Sequence, residues 1–130
     1  ISDNYLKTCK GVFDAEDFSG AYENIAGANI GLGNPKKALS AADSCIATYY
    51  ANIGCHVQRA VALIALQRLP DARVALDRSE KLIAHRIEAT TRDLRTARHT
   101  PEKELLEARL NNFEAQQSHA AALRAQHFPK

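Results

Sequence analysis

The 130-residue sequence predicts an all-α protein built from helical hairpins. Apolar residues recur at alternating steps of three and four, which is the spacing of residues on one face of a helix. Pro35, Pro70 and Pro101 each stand where a helix can begin, because proline is favoured at the first helical position. Small and apolar residues also recur 34 positions apart, a period typical of stacked helical hairpins.

Composition narrows the class of protein. Hydrophobic residues make up 45% of the chain and charged residues 25%, as in an ordinary globular domain. No apolar run reaches the length of a membrane-spanning helix, so no membrane span is predicted. The net charge of +2 is too small to indicate a nucleic-acid partner.

The first half of the chain predicts four helices, separated by glycine, asparagine and proline. Asn34 and Pro35 form a strong helix start, with a capping residue followed by proline. Residues 13–18 are either an acidic connector or an early start of the second helix. The four helices are expected over residues 3–10, 19–32, 35–48 and 55–68.

The second half predicts two long helices that fold back as an antiparallel hairpin. No helix breaker occurs between Asp71 and His99, and Thr100 with Pro101 marks the next helix start. The fifth helix has one continuous stripe: Ala72, Leu76, Ser79, Ile83, Ile87, Thr90, Leu94 and Ala97. The sixth has a seam that polar Gln117 interrupts: Leu106, Leu110, Phe113, Gln117, Ala120 and Leu123.

The repeated positions carry a family resemblance. Ala26, Ile30 and Ala38 return 34 residues later as Ala60, Ile64 and Ala72. Larger positions vary more, and the repeat-ending proline is replaced by Tyr50 and by Ala84. This pattern resembles the tetratricopeptide repeat (TPR) family in degenerate form. The resemblance implies two repeats over residues 20–84. The chain length predicts a single domain over residues 1–130, in which the long hairpin over residues 70–127 caps the repeats.

The resemblance also implies a binding groove lined by the first helix of each repeat. It is expected to be apolar with a small acidic edge, and to hold an apolar or amphipathic peptide. The basic residues with which some family members grip a terminal carboxylate are absent. The alternative is that the first or last helix of the chain covers the groove. The groove residues are Glu23, Asn24, Gly27, Ile30, Val57, Gln58, Val61 and Ile64.

Three cysteines leave the redox state open. Cys45 and Cys55 lie near facing ends of two neighbouring predicted helices, so a disulfide between them is one interpretation. A bridge that uses Cys9 and a set of buried free thiols are the others. With the start at Ile1, a bridge favours a periplasmic or exported protein, and free thiols favour the cytoplasm.

No motif for catalysis or cofactor binding is recognisable. Cys55 and His56 with Cys45 lack a fourth zinc ligand, and the glycines follow no predicted strand, as a dinucleotide site requires. Arg92, Arg95 and Arg98 alternate with acids, which is typical of a solvated helix face.

We therefore expect neither an enzyme nor a cofactor nor a nucleic-acid partner. The leading hypothesis is an adaptor that binds a protein or peptide partner through the groove. The alternative is an assembly subunit that forms a homo-oligomer through the fifth and sixth predicted helices.

Overall fold

A computed structural model describes residues 15–129, and within that range every regular element is an α-helix. The all-helical prediction is therefore confirmed for this part of the chain, while the helix predicted over residues 3–10 lies outside it. None of the helices combines the length and apolar content that crossing a bilayer requires. The five helices are α1 (Ala15–Gly31), α2 (Pro35–Thr48), α3 (Ile53–Ala65), α4 (Leu69–Thr96) and α5 (Thr100–His127).

The helix starts follow the capping chemistry of the sequence. Helix α2 begins at Pro35 as predicted, although the side chain of the cap residue Asn34 makes no capping hydrogen bond. Helix α3 begins two residues earlier than predicted, because Asn52 Oδ1 accepts a hydrogen bond of 3.3 Å from the backbone N–H of Cys55. The sequence predicts Thr100 as the cap of α5, but the cap residue is His99, so Thr100 lies within the first turn.

The helix ends were less predictable. Helix α3 ends at Ala65 and not near Arg68, because Gln67 adopts a left-handed conformation with φ of 64°. Gly33 takes the same conformation just after α1, with φ of 76°. Left-handed residues at this position end helices, and glycine is the usual choice there. The acidic stretch before the second predicted helix already belongs to α1 from Ala15 onwards.

The chain divides between Ala75 and Leu76 into two compact units. In the first unit, α2 packs against both α1 and α3, and α1 also contacts α3. Small side chains fill the interior, which lets the helix axes approach closely. The fully buried residues include Ala26, Ala38, Ala42, Cys45, Cys55, Ala60, Ala62 and Leu63.

In the second unit, α4 and α5 run antiparallel. Arg124 near the end of α5 forms ion pairs with Asp77 and with Glu80, the latter at 2.6 Å. Leu76, Ser79, Ile83, Thr90 and Ala97 of the predicted stripe are buried in the structure.

The seam of α5 differs from the prediction at one residue. Leu106 and Ala120 are buried as expected, but Gln117 is exposed and Gln116 is half-buried instead. The steps from Phe113 to Ala120 fit a helix face through either glutamine, so spacing alone could not choose between them.

Candidate partner-binding surface

Helices α1 and α3 lie side by side and run parallel. Gln58 Nε2 of α3 donates a hydrogen bond of 3.1 Å to the backbone carbonyl of Glu23 on α1. One turn further along α1, a Cβ atom at Gly27 would lie 3.3 Å from the same Gln58 nitrogen. The Glu23 carboxylate, in turn, lies against Gly54 at the start of α3. Residues further along α1 thus meet residues further along α3, which makes the two helices parallel.

Two glycines let the helices approach in this way. A methyl group on Gly54 would collide with the Glu23 carboxylate, which is the flexible end of a side chain. A methyl group on Gly27 would press against the Gln58 amide. Their lack of a side chain keeps Glu23 and Gln58 in the seam between α1 and α3, which we call the α1–α3 seam.

The predicted groove residues differ in how much surface they offer. Val57 is only 5% exposed, so it contributes to the core more than to a surface. Asn24 is exposed. The pairing of Glu23 with Gly54 and of Gly27 with Gln58 sets a register that places Ile30 opposite Val61. The half-buried members are Glu23, Gly27, Ile30, Gln58, Val61 and Ile64.

The amide nitrogen of Gln58 makes a hydrogen bond, but its amide oxygen does not. Its nitrogen must face the Glu23 carbonyl, because only the nitrogen can donate. Its Oε1 atom is buried and accepts no hydrogen bond from any residue between 15 and 129. A buried acceptor without a hydrogen bond lowers stability by about 1–3 kcal/mol, so a hydrogen bond to this oxygen would be favourable.

Comparison of the chain with protein-family models, with curated proteins and with solved structures finds no match.

A pair of cysteines joins the end of α2 to the start of α3. The sulfurs of Cys45 and Cys55 lie at disulfide-bonding distance, with their Cα atoms 6.2 Å apart. This confirms the pairing that was one of three interpretations of the cysteines, while Cys9 lies outside the described residues. A covalent link here fixes the turn between the two helices.

Polar groups surround that link. Asn52 Nδ2 donates to Ser19 Oγ at 3.1 Å, and Ser19 Oγ donates to the Glu16 carbonyl at 2.7 Å. His56 is 1% exposed, with its Nε2 2.7 Å from the carbonyl oxygen of Tyr50 and its ring edge-on to the Tyr50 ring. Each of these contacts is a packing or capping interaction. Within residues 15–129 no group of three or more metal-binding side chains occurs.

One surface was missed by the sequence reasoning. Phe18, Tyr22 and Ile25 on α1 are exposed by 43%, 37% and 48%, and Leu32 just after the helix by 74%. Their steps of four, three and seven place them on one face, which we call the α1 stripe. The same spacing is visible in the sequence.

Proposed function

We propose that this chain is a non-catalytic protein-binding module of the TPR-like type. A partner's apolar or amphipathic segment lies along the α1–α3 seam. The observation that carries the proposal is the strip of half-exposed Ile30, Val61 and Ile64 beside the paired Glu23 and Gln58. Apolar groups held on two parallel helices, with polar groups at one end, suit a bound helix or extended peptide.

The repeat interpretation has support from burial. The two alanine pairs that the 34-residue register aligns are Ala26 with Ala60 and Ala38 with Ala72, and all four residues are 0% exposed. Equal burial at positions 34 residues apart supports the interpretation as stacked repeats.

The seam also suggests the chemistry of the partner. Apolar side chains of the partner would contact Ile30, Val61 and Ile64. A basic side chain at the polar end would meet the Glu23 carboxylate. We therefore expect a partner segment with an apolar face and a cation at one end.

The test uses peptides selected from a displayed library on the wild-type protein. Their affinities are then measured for Val61→Arg and for Val74→Arg, a matched change at an exposed position on α4. We expect Val61→Arg to weaken binding at least roughly tenfold, because it places a charge on an apolar contact surface, and Val74→Arg to leave it unchanged.

Circular dichroism of both variants serves as the folding control. Selected peptides that bind Val61→Arg as tightly as wild type would contradict the proposal. So would an equal loss in both variants.

A second proposal is assembly through the hairpin of α4 and α5. Leu105 is 53% exposed, and Leu110 and Phe113 are only half-buried, so this hairpin retains apolar surface that a second copy could cover. Light scattering tests it: an oligomeric wild type that Leu110→Arg and Phe113→Arg convert to monomers supports assembly. A monomeric wild type at high concentration excludes it.

We also propose an exported, periplasm-like location, with the cytoplasm as the alternative. The support is the Cys45–Cys55 pair, since structural disulfides persist in oxidising compartments. Alkylation of free thiols in intact cells, followed by mass spectrometry, tests it. Unmodified Cys45 and Cys55 support export, and full alkylation of both contradicts it.

A further inference from the structure

Helices α4 and α5 each carry an exposed row of polar side chains, and the two rows are complementary in charge. The row on α4, which we call the α4 row, has three side chains with N–H donors and one acid: His85, Glu88, Arg92 and Arg95. The row on α5, which we call the α5 row, has three carboxylates and one amide: Glu104, Glu107, Asn111 and Glu114. All of these residues are exposed. The steps in both rows are three, four and three, so each row follows one face of its helix for about 15 Å.

Both rows point away from the buried side of their own helix. Arg92 stands two positions after Thr90, which is buried. Glu104 stands two positions before Leu106, which is buried as well. Residues two apart point about 200° apart around a helix, so these side chains face outwards. Within residues 15–129 no member of either row forms an ion pair, and their charges are available to another molecule.

The two rows match when they run antiparallel. Each donor of the α4 row then faces a carboxylate of the α5 row, in the pairs His85 with Glu114, Arg92 with Glu107 and Arg95 with Glu104. In the same register the one acid of the α4 row, Glu88, faces the one amide of the α5 row, Asn111. The amide N–H groups of asparagine can donate to a carboxylate. Every opposing pair in this register therefore joins a donor to an acceptor.

A parallel pairing of the rows is unfavourable. The steps of three, four and three also permit it, but Glu88 would then face Glu107. Two carboxylates brought together repel each other. The position of Glu88 therefore selects the antiparallel direction.

We propose that the α4 row of one copy of this chain binds the α5 row of a second copy in the antiparallel direction. This inference rests on the assembly proposed above and names the faces that two copies use. One contact occupies one row of each copy, so an α5 row stays free at one end and an α4 row at the other. Such a head-to-tail contact closes into a ring or continues as a chain of copies.

The acid within the α4 row favours a second copy over a polyanion. A nucleic acid or an anionic membrane would be attracted by Arg92 and Arg95, but Glu88 in the middle of the row would repel it. A second copy instead supplies Asn111 at that point. Exposed ion pairs are individually weak, so we expect the contact to depend on several pairs and to dissociate in concentrated salt.

Reciprocal charge reversal in the full-length chain tests this contact. The first variant carries Arg92→Glu with Arg95→Glu, and the second carries Glu104→Arg with Glu107→Arg. Sedimentation velocity at low salt measures the assembly of each variant alone and of their equimolar mixture. Circular dichroism checks that both variants are folded.

We expect each variant alone to associate at least roughly tenfold more weakly than the wild type, because its two rows then carry like charges. The mixture should regain assembly with equal amounts of both variants, since each row again meets one of opposite charge. The control carries Arg98→Glu with Arg109→Glu, which reverses two exposed charges outside the rows. It should assemble as the wild type does.

Three results would overturn the proposal. One is a wild type that is monomeric at low salt and high concentration, which would also exclude the assembly proposed above. Another is a mixture that stays monomeric. The third is assembly of each variant alone to the extent of the wild type. If in that case Leu110→Arg still gave monomers, the copies would assemble through the hairpin but not through these rows.

Discussion

Gly33 and Gln67 stand 34 residues apart and close their helices in the same way. The N–H of Gly33 donates to the Ile30 carbonyl at 3.2 Å, and the next N–H, of Asn34, reaches back to Asn29 at 2.8 Å. The N–H of Gln67 donates to the Ile64 carbonyl at 2.9 Å, and that of Arg68 reaches back to Leu63 at 2.9 Å. Both residues have positive φ, so the two helix ends share one motif.

This shared motif predicts opposite effects of substitution at the two positions. Gln67→Gly should raise the free energy of unfolding by roughly 0.5–1 kcal/mol, because glycine adopts the left-handed conformation without a steric penalty. Gly33→Ala should lower it by about 1 kcal/mol, because alanine is strained at positive φ. Urea unfolding followed by circular dichroism measures both changes.

The control for this pair is Gly20→Ala. Gly20 lies inside α1, and a Cβ atom there would meet no atom within 4 Å. We expect this change to raise the free energy of unfolding, by roughly 0.5–1 kcal/mol. If Gly33→Ala stabilised the protein as Gly20→Ala does, Gly33 would not adopt the left-handed conformation.

Asn52 and Asn34 both precede a helix, but only Asn52 uses its side chain. Its Oδ1 accepts from the Cys55 N–H and its Nδ2 donates to Ser19 Oγ, so it links α3 to α1 as well as capping α3. We expect Asn52→Ala to destabilise by roughly 1–2 kcal/mol, as loss of a cap does. Asn34→Ala should cost clearly less, since the Asn34 side chain makes no capping bond. Thermal unfolding measures both variants, and equal losses of stability in Asn52→Ala and Asn34→Ala would contradict this prediction.

The Cys45–Cys55 link should contribute measurably to stability. The two residues are 10 positions apart, and closing a loop of that length stabilises by roughly 2–3 kcal/mol. Reduction should lower the free energy of unfolding by up to this amount. Part of the loss is offset because a reduced Cys45 thiol can donate to the Ser19 carbonyl, 3.2 Å away.

Urea unfolding with and without reductant measures the effect of the link. The Cys45→Ala/Cys55→Ala double variant should show no dependence on reductant. If the double variant responded as strongly as wild type, the response would not come from the Cys45–Cys55 link, because only Cys9 remains and it could pair only with a second chain.

Arg124 holds the hairpin of α4 and α5 at its open end. Its guanidinium donates to Glu80 and to Asp77, and these contacts raise its pKa above the ordinary value. The side chain is one-third exposed, so solvent weakens the ion pairs. Arg124→Ala should therefore destabilise by only about 1 kcal/mol.

The salt dependence separates charge from packing at Arg124. The loss should shrink in concentrated salt, which screens exposed charges. Arg109→Ala, at an exposed position on α5, is the control and should change the free energy of unfolding by less than about 0.5 kcal/mol. If concentrated salt did not reduce the loss of stability in Arg124→Ala, packing of the aliphatic part of the Arg124 side chain would account for that loss.

Much of the helix pattern was predictable because its signals are local. Pro35 began α2 as predicted, and the long uninterrupted helix after Pro70 was found as α4. The end of α3 was not predictable, since glutamine seldom takes the left-handed conformation that Gln67 adopts. The backbone hydrogen bonds from Gln67 to Ile64 and from Arg68 to Leu63 accompany that conformation.

The sequence selected the residues of the proposed groove but not their exposure. The 34-residue register selected Val57 and Val61 as members of one face, yet Val57 is buried and Val61 half-buried. The burial of a side chain depends on the distance to the neighbouring helix. In this protein Gly27 and Gly54 leave room for α1 and α3 to approach; the spacing selected Gly27 as a groove residue, but it showed neither the contact of Gly27 with Gln58 nor the role of Gly54.

By itself the sequence determined the helical class, the helix starts and the spacing of the small residues, because these follow from backbone propensities and from periodicity within one helix. The tertiary structure alone decided that Cys45 meets Cys55, that Gln58 bonds to Glu23, and that the Tyr22 face stays exposed. Each of these depends on the separation and direction of two different helices, which side-chain packing selects and local sequence does not encode.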